Sequence, residues 1–434
     1  MAHPPKEIPP LVVAALMGLA CTIPTLVASP IGTPSEVKPT SRLEDAPSSA
    51  TLSPTMGPSS SGTEGYAATQ PSEPCTGEPR LFPSSNPILF VANRDGDPEI
   101  YSVNPDGGDL RQLTSNQLID ASPSWSPDAK TLAFASEKEG SGFGIIIADA
   151  GGSSPRNVLP DDYSLGISPP PYLEPSEEGE DTPIAFPGDP GLAGQPWFEW
   201  SPDGKVMVAR VVGGVAGPLA LVTLGTSEVS DLVGPAFSDG PSFSWSPDSR
   251  FIAAEHQLDS RGVAWAILTV QVSSGRVSEI LPVAVQERSP RWEPSGQGFL
   301  YIARDFETGA SQLMEFRAED GTRRQVTSSE PAKIWAEWSP NGQLIALSES
   351  TITTDAPDAS IAIQIINVAD GTMRTLASGP GVDPFHFTWA PDGVHLAYID
   401  ESQGISSLFA GNVCDGRIVL VAEGVARDRL SWRP

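Results

Sequence analysis

The four histidines of this 434-residue chain, His3, His256, His386 and His395, are its first candidates for metal or proton-transfer chemistry. His3 belongs to an N-terminal leader. His256 ends an apolar run, and His386 and His395 flank a tryptophan-bearing turn. The last three read as ordinary strand-end residues rather than as metal ligands. A zinc hydrolase needs His-Glu-x-x-His, a serine hydrolase a Gly-x-Ser-x-Gly elbow and a redox protein Cys-x-x-Cys; none of these occurs. Asp95-Gly96-Asp97 offers the opening oxygens of a calcium loop but lacks the later oxygens and the closing Glu, so it reads as a turn. The expectation is a non-catalytic protein without cofactor or metal residues, which works by binding.

Charge narrows what it binds. Lys and Arg number 26 against 54 Asp and Glu, for a net charge of -28. No basic patch with interleaved aromatics is present, which excludes nucleic acid as a partner. The sharpest acidic stretch, residues 161–189, contains Asp161, Asp162, Glu174, Glu177, Glu178 and Glu180 with no Lys or Arg. It is Pro-rich and forms the heart of an insertion over residues 158–196. Loops carried on a rigid scaffold are where binding usually resides. Together with Asp95 and Asp97, and with Trp197 and Trp335 as aromatics able to reach a recognition surface, these residues make up the candidate binding face.

The elements that must position them come from a repeat. Phe243-Ser244-Trp245-Ser246-Pro247-Asp248 has close copies around Trp125, Trp200 and Trp338, a near copy around Trp389 and weaker ones around Trp292 and Trp432. From Trp200 onward the tryptophans lie roughly 43 to 51 residues apart, the period of a four-stranded propeller blade. Pro presets the first corner of a tight turn, Asp or Asn folds back on the backbone, and Gly accepts positive φ. The runs that follow, such as Leu132-Ala133-Phe134 and Ile252-Ala253-Ala254, are apolar on both faces, as strands between neighbouring sheets must be. A second strand pair then closes on turns such as Asp320-Gly321 and Asp370-Gly371. The first unit lacks its opening strand, and the last tryptophan strand has nothing after it. Joined, they complete one blade of a seven-bladed ring with no free edge at the seam.

That closure places the cysteines. The first and third turns of an up-and-down blade share a face, so Cys75, entering the first unit, and Cys414, beside the Asp415-Gly416 turn of the last, become neighbours. A Cys75–Cys414 disulfide is expected, as suits an oxidising compartment.

The unit Trp-Ser-Pro-Asp-Gly, Leu-Ala-Phe, Ile-Tyr and Asp-Gly-Gly resembles the WD40-like β-propeller repeat of the TolB family, most clearly from Asp95 to Thr114. The resemblance covers the propeller alone, since low-complexity sequence stands where that family has a small α/β domain. It implies fold but not activity, because such propellers serve as adaptors, as gating domains of peptidases and as ligand binders.

Residues 1–28 read as a signal peptide or membrane anchor, with a short apolar run ending at Cys21. Gly18-Leu19-Ala20-Cys21 resembles a lipoprotein cleavage site, which makes Cys21 the lipid-attachment candidate; a retained anchor and plain secretion stay open beside it. Residues 29–80 are a disordered Ser/Thr/Pro tether, and residues 81–434 the all-β propeller. The expected protein is exported, periplasmic or at the cell surface, and touches membrane only through its N-terminus. Its expected partner is another envelope or extracellular protein. A carbohydrate or peptide ligand is the alternative, followed by a propeller-type hydrolase or lyase.

Overall fold

Four-stranded antiparallel sheets repeat along the chain in the order set by the tryptophan motif. In a computed structural model, the described residues are 75, 86–138, 142–165, 198–213, 219–233, 239–257, 265–279, 286–305, 310–329, 331–350, 360–401 and 404–434. All belong to the unit Met56–Pro434. Cys21, the insertion residues Glu174, Glu177, Glu178 and Glu180, and Trp197 lie outside them.

Among the described residues the strands form seven blades. Blade one contains Ser431–Trp432, Ile88–Asn93, Pro98–Val103 and Arg111–Gln112 in that order. The opening strands of blades two to seven are Asp120–Trp125, Phe198–Trp200, Asp239–Trp245, Gln286–Trp292, Ala332–Trp338 and Val382–Trp389. The C-terminal strand pairs with the first described one, Trp432 opposite Ile88 and Ser431 opposite Leu89.

Each blade alone leaves two apolar faces in water, so burial requires neighbours. One cluster joins Leu89 and Ile100 of blade one to Trp125 and Phe134 of blade two. Others link blades two and three, three and four, four and five, five and six, and six and seven. The last packs Ala397, Ile399 and Leu408 of blade seven on Ile88, Phe90 and Trp432 of blade one, so the cycle returns to its start. The alanines after each turn, among them Ala133, Ala209, Ala253, Ala346 and Ala397, are fully buried. A larger side chain there would push the sheets apart.

The motif serine has a role that the sequence reading gave only to Pro, Asp and Gly. Ser126 Oγ donates to Asp128 Oδ1 at 2.7 Å and accepts from Thr131 N at 3.1 Å, while Lys130 N donates to Asp128 Oδ1. The same triangle recurs at Ser201/Asp203, Ser246/Asp248 and Ser339/Asn341. Where Ala390 replaces the serine, the His395 ring takes over: its Nδ1 lies 2.7 Å from Asp392 Oδ2 and its Nε2 3.2 Å from Asn412 Nδ2. His395 is therefore a fully buried turn brace.

Two features depart from a plain repeat. Tyr163–Leu165, near the start of the insertion, pairs with Val211–Gly213 of blade three and touches Phe143 of blade two, fusing those blades into one nine-stranded sheet. The opening strands also carry bulges, between Ala121 and Ser124, Arg288 and Arg291, Lys333 and Trp335, and Val382 and Phe387. A bulge breaks the two-residue alternation and re-aims the side chains beyond it. Buried carboxylates cap the backbone N–H groups it frees. Ser122 N donates to Asp428 Oδ2 at 3.0 Å, and Ser289 N donates to Glu255 Oε1 at 2.5 Å.

The expected disulfide is present, with Cys75 bonded to Cys414. Arg374 braces it, Nη1 donating to Cys414 O at 2.9 Å and Nη2 lying 3.0 Å from Cys75 Sγ.

Candidate functional site

Residues on or beside the opening strands of blade one and of blades three to seven line a cavity of about 320 Å³. Its walls come mainly from two positions of the repeat. The residue before the motif tryptophan supplies Glu199, Arg291, Glu337, Thr388 and Ser431; the position three before it supplies Trp335, His386 and Arg429. Elsewhere the first of these positions holds Ser124 and Ser244, so the charged side chains depart from a small hydroxyl-bearing pattern.

Four of these groups are ionisable, two carboxyls and two guanidiniums, and among the described residues none of the ion pairs joins them. Arg291 Nη1 donates to Pro290 O at 2.7 Å and Ser242 Oγ at 3.1 Å, and its guanidinium lies 3.8 Å from the centre of the Trp335 ring. Arg429 reaches from blade one towards blade three, Nη1 donating to Phe198 O at 2.9 Å. Glu337 Oε1 accepts from Trp335 Nε1 at 3.2 Å. Glu199 Oε2 is buried without a hydrogen-bond partner.

Burial dominates the titration of all four. It raises the pKa values of Glu199 and Glu337 despite the opposing pull of Arg291 and Arg429. It also lowers those of both arginines despite the carboxylates. On the wall, His386 Nδ1 lies 2.9 Å from Asp383 Oδ1, and Arg427 Nε donates to Asp383 Oδ2 at 2.8 Å. Burial disfavours the Asp383 carboxylate, but His386 and Arg427 prevail and hold it below the usual range.

The structure separates the residues singled out from sequence. Trp335 lines the cavity but is only 2% exposed. Its ring carries Arg291 on a face and meets Phe385 edge-on at 6.3 Å. Asp95 and Asp97 lie in the hairpin turn of blade one, where Asp95 Oδ2 accepts from Gln112 Nε2 at 2.8 Å. Asp161 and Asp162 are exposed just before the strand that fuses blades two and three. None of these four aspartates lines the cavity. The sequence reading did not single out Glu199, Arg291, Glu337 and Arg429. For the first three the available signal was a charged residue where the repeat otherwise places Ser or Thr. Among the described residues no His, Cys, Asp and Glu cluster is placed to hold a metal.

A further carboxylate pair sits between blades one and two. Glu99 Oε1 accepts from Asn116 N at 2.6 Å and Oε2 from the Thr114 hydroxyl, while Asn116 Nδ2 donates to Asp120 Oδ2 at 2.7 Å. Burial pushes Glu99 up to about 7 and raises Asp120 as well. Burial likewise raises Glu199, Glu255, Glu337 and Asp428. A carboxyl whose folded pKa is raised contributes stability that is fully present below its unfolded value and lost as pH rises through the folded one. The protein is therefore expected to lose stability as pH climbs from the ordinary Glu value of 4.5 to beyond about 7. Urea midpoints across that window will show the fall, and Glu99→Gln should flatten part of it. A midpoint that rises throughout would contradict the assignment.

The comparisons with known proteins agree on the fold. A model of the TolB β-propeller domain matches residues 66–166. The Tol-Pal system protein TolB of Desulfosudis oleivorans is 40% identical over 68 residues, 16% of this chain and 15% of that protein. A TolB homolog of Chlorobium luteolum is 46% identical over 65 residues, 15% and 14% of the two chains. The match thus spans about one seventh of these relatives. Among solved structures, a puromycin-hydrolyzing peptidase of Mycobacterium tuberculosis superposes with a TM-score of 0.54 at 11% identity, covering 78% of this chain and 54% of that one. Oligogalacturonate lyase of Vibrio parahaemolyticus gives 0.51 at 13% identity, over 78% and 85%. At such identities the likeness is one of fold. The chain carries a TolB-like β-propeller.

Proposed function

We propose that this protein is an exported, membrane-tethered propeller that binds without catalysing, and that it holds another envelope or extracellular protein at the mouth of its central cavity. The observation that carries this reading is the cavity itself: opposed charges from four blades, deep in the ring and not neutralised by direct pairing. Buried charges left apart cost stability, and an incoming partner can offset that cost by supplying the missing counter-charges. The leader, the Ser/Thr/Pro tether and the Cys75–Cys414 bridge support placement outside the cytoplasm. The relative named as a Tol-Pal system protein, that of Desulfosudis oleivorans, supports a protein partner. Asp95, Asp97, Asp161 and Asp162, with the acidic insertion, would form a second, outer contact that steers basic partners.

A carbohydrate ligand is disfavoured by Trp335, because Arg291 already covers one face of the ring on which a sugar would stack. A hydrolase or lyase is the second reading, favoured by His386 on the cavity wall with the buried Asp383 behind it. It requires a reaction that His386→Ala abolishes.

Capture from the envelope fraction with the full chain tests the main reading. Wild type should enrich a defined partner, and Glu199→Gln should reduce that enrichment about tenfold or more, the loss of one charge-assisted hydrogen bond. Equal enrichment by both would remove the cavity from the interaction.

A further inference from the structure

We propose that the central cavity is a receptor for a small zwitterion, an α-amino acid or a dipeptide, whose ammonium group sits on the Glu199 carboxylate and whose carboxylate sits on the Arg429 guanidinium. The inference rests on the reading of the cavity as a binding site and adds the chemical class of its occupant.

Glu199 supplies the first argument. Its Oε2 is buried and unpartnered, while it lines the cavity. An acceptor-only group so placed calls for a donor, and a cation satisfies it best. Arg429 supplies the second. Of its guanidinium nitrogens, Nη1 alone has a hydrogen-bond partner among the described residues, Phe198 O, and the side chain borders the same space. Arg291 is the less available cation, already committed to Pro290 O, Ser242 Oγ and the Trp335 ring.

The charge balance argues for both ends at once. Two carboxylates and two guanidiniums sum to zero, so an occupant carrying only one sign would leave the site unbalanced. A dipolar occupant matches each sign and stays neutral overall. The volume of about 320 Å³ lies at the small end of the roughly 300–1,000 Å³ range of ligand pockets. Phe385, half-buried on the cavity wall, gives an apolar side chain a surface to rest on.

Isothermal titration of the full chain with alanyl-phenylalanine tests this. Saturable one-to-one binding is expected. N-acetylation of the dipeptide and Glu199→Gln should each weaken it tenfold or more, as should C-amidation and Arg429→Gln. Glu199→Gln should also raise the melting temperature by about 2–4 °C, since it removes a desolvated charge and keeps the shape. That opposite movement of affinity and stability separates a ligand-binding group from a structural one. Arg429→Lys, which keeps the charge, should retain partial affinity and guards against a misfolded glutamine variant.

Absence of saturation at millimolar dipeptide, or full affinity for either blocked form, overturns the proposal. If the dipeptide fails while Glu199→Gln still loses its captured partner, the zwitterion is wrong and the protein-binding reading stands. If the dipeptide binds as described and nothing is captured, the reverse holds.

Discussion

Replacing Trp432 by alanine is expected to lower the unfolding free energy by roughly 3–5 kcal/mol, the usual cost of emptying a buried tryptophan site. The residue is 5% exposed and belongs to the cluster in which blade seven meets blade one. It carries more than its own contacts, because its strand is where the two described ends of the propeller meet. Ser431 Oγ accepts from Trp125 N at 3.0 Å, Arg433 N donates to Pro87 O at 3.0 Å and Arg433 Nη2 donates to Ala129 O at 2.9 Å. Loosening this strand would expose Ile88–Asn93 as an edge, with unpaired N–H and C=O groups. Set against a typical total of about 5–15 kcal/mol, the loss is severe. Urea unfolding gives the free energy, and amide exchange should show Ile88–Asn93 losing protection first. The half-buried Trp292 is the internal comparison. If Trp292→Ala costs as much and Ile88–Asn93 stays protected, the seam has no special role.

Breaking the Cys75–Cys414 bridge should cost about 2–5 kcal/mol. The bonded residues are 339 apart in sequence, so the crosslink closes nearly the whole propeller into one loop. In the chain-entropy picture, the longer the loop held shut in the unfolded ensemble, the greater the stabilisation. The bridge also fixes Cys75 beside the final hairpin turn of blade seven, where Arg374 contacts both cysteines. Reductant should therefore lower the urea midpoint of the wild type and leave that of a Cys75→Ser, Cys414→Ser double variant unchanged at the lower value. A wild-type midpoint indifferent to reductant would refute the stabilising role. Two alkylatable thiols under non-reducing conditions would refute the bond.

Much of the fold was legible because its cause is local and repeated. Ser-Pro followed by Asp or Asn builds the same turn wherever it occurs, because the serine hydroxyl, the Asp or Asn side chain and the next backbone N–H groups lie within a few residues of one another. The doubly buried strands after those turns announce themselves by composition, as Ala133, Ala253 and Ala397 do. Even the disulfide followed from this local grammar once the two partial units were joined. The turn at Ala390 shows the limit of such reading. His395, which the sequence suggested was an ordinary strand-end residue, replaces the missing serine through a bond visible only in three dimensions.

The cavity was not legible in this way. Glu199, Arg291, Glu337 and Arg429 come from blades three, five, six and one, and nothing in their local sequence tells which side of the strand they occupy. Bulges in the opening strands break the alternation from which a face could be inferred, and ring closure then brings residues more than two hundred positions apart around one space. The strand Tyr163–Leu165 is a similar case, since three residues carry no periodicity and its partners belong to two different blades. The amino-acid sequence by itself determined the repeating unit, its turns and the pairing of its cysteines, all set by short-range bonding and by burial on two faces. Only the tertiary structure decided which charges converge on the axis, because that depends on strand register and closure, which are properties of the whole ring.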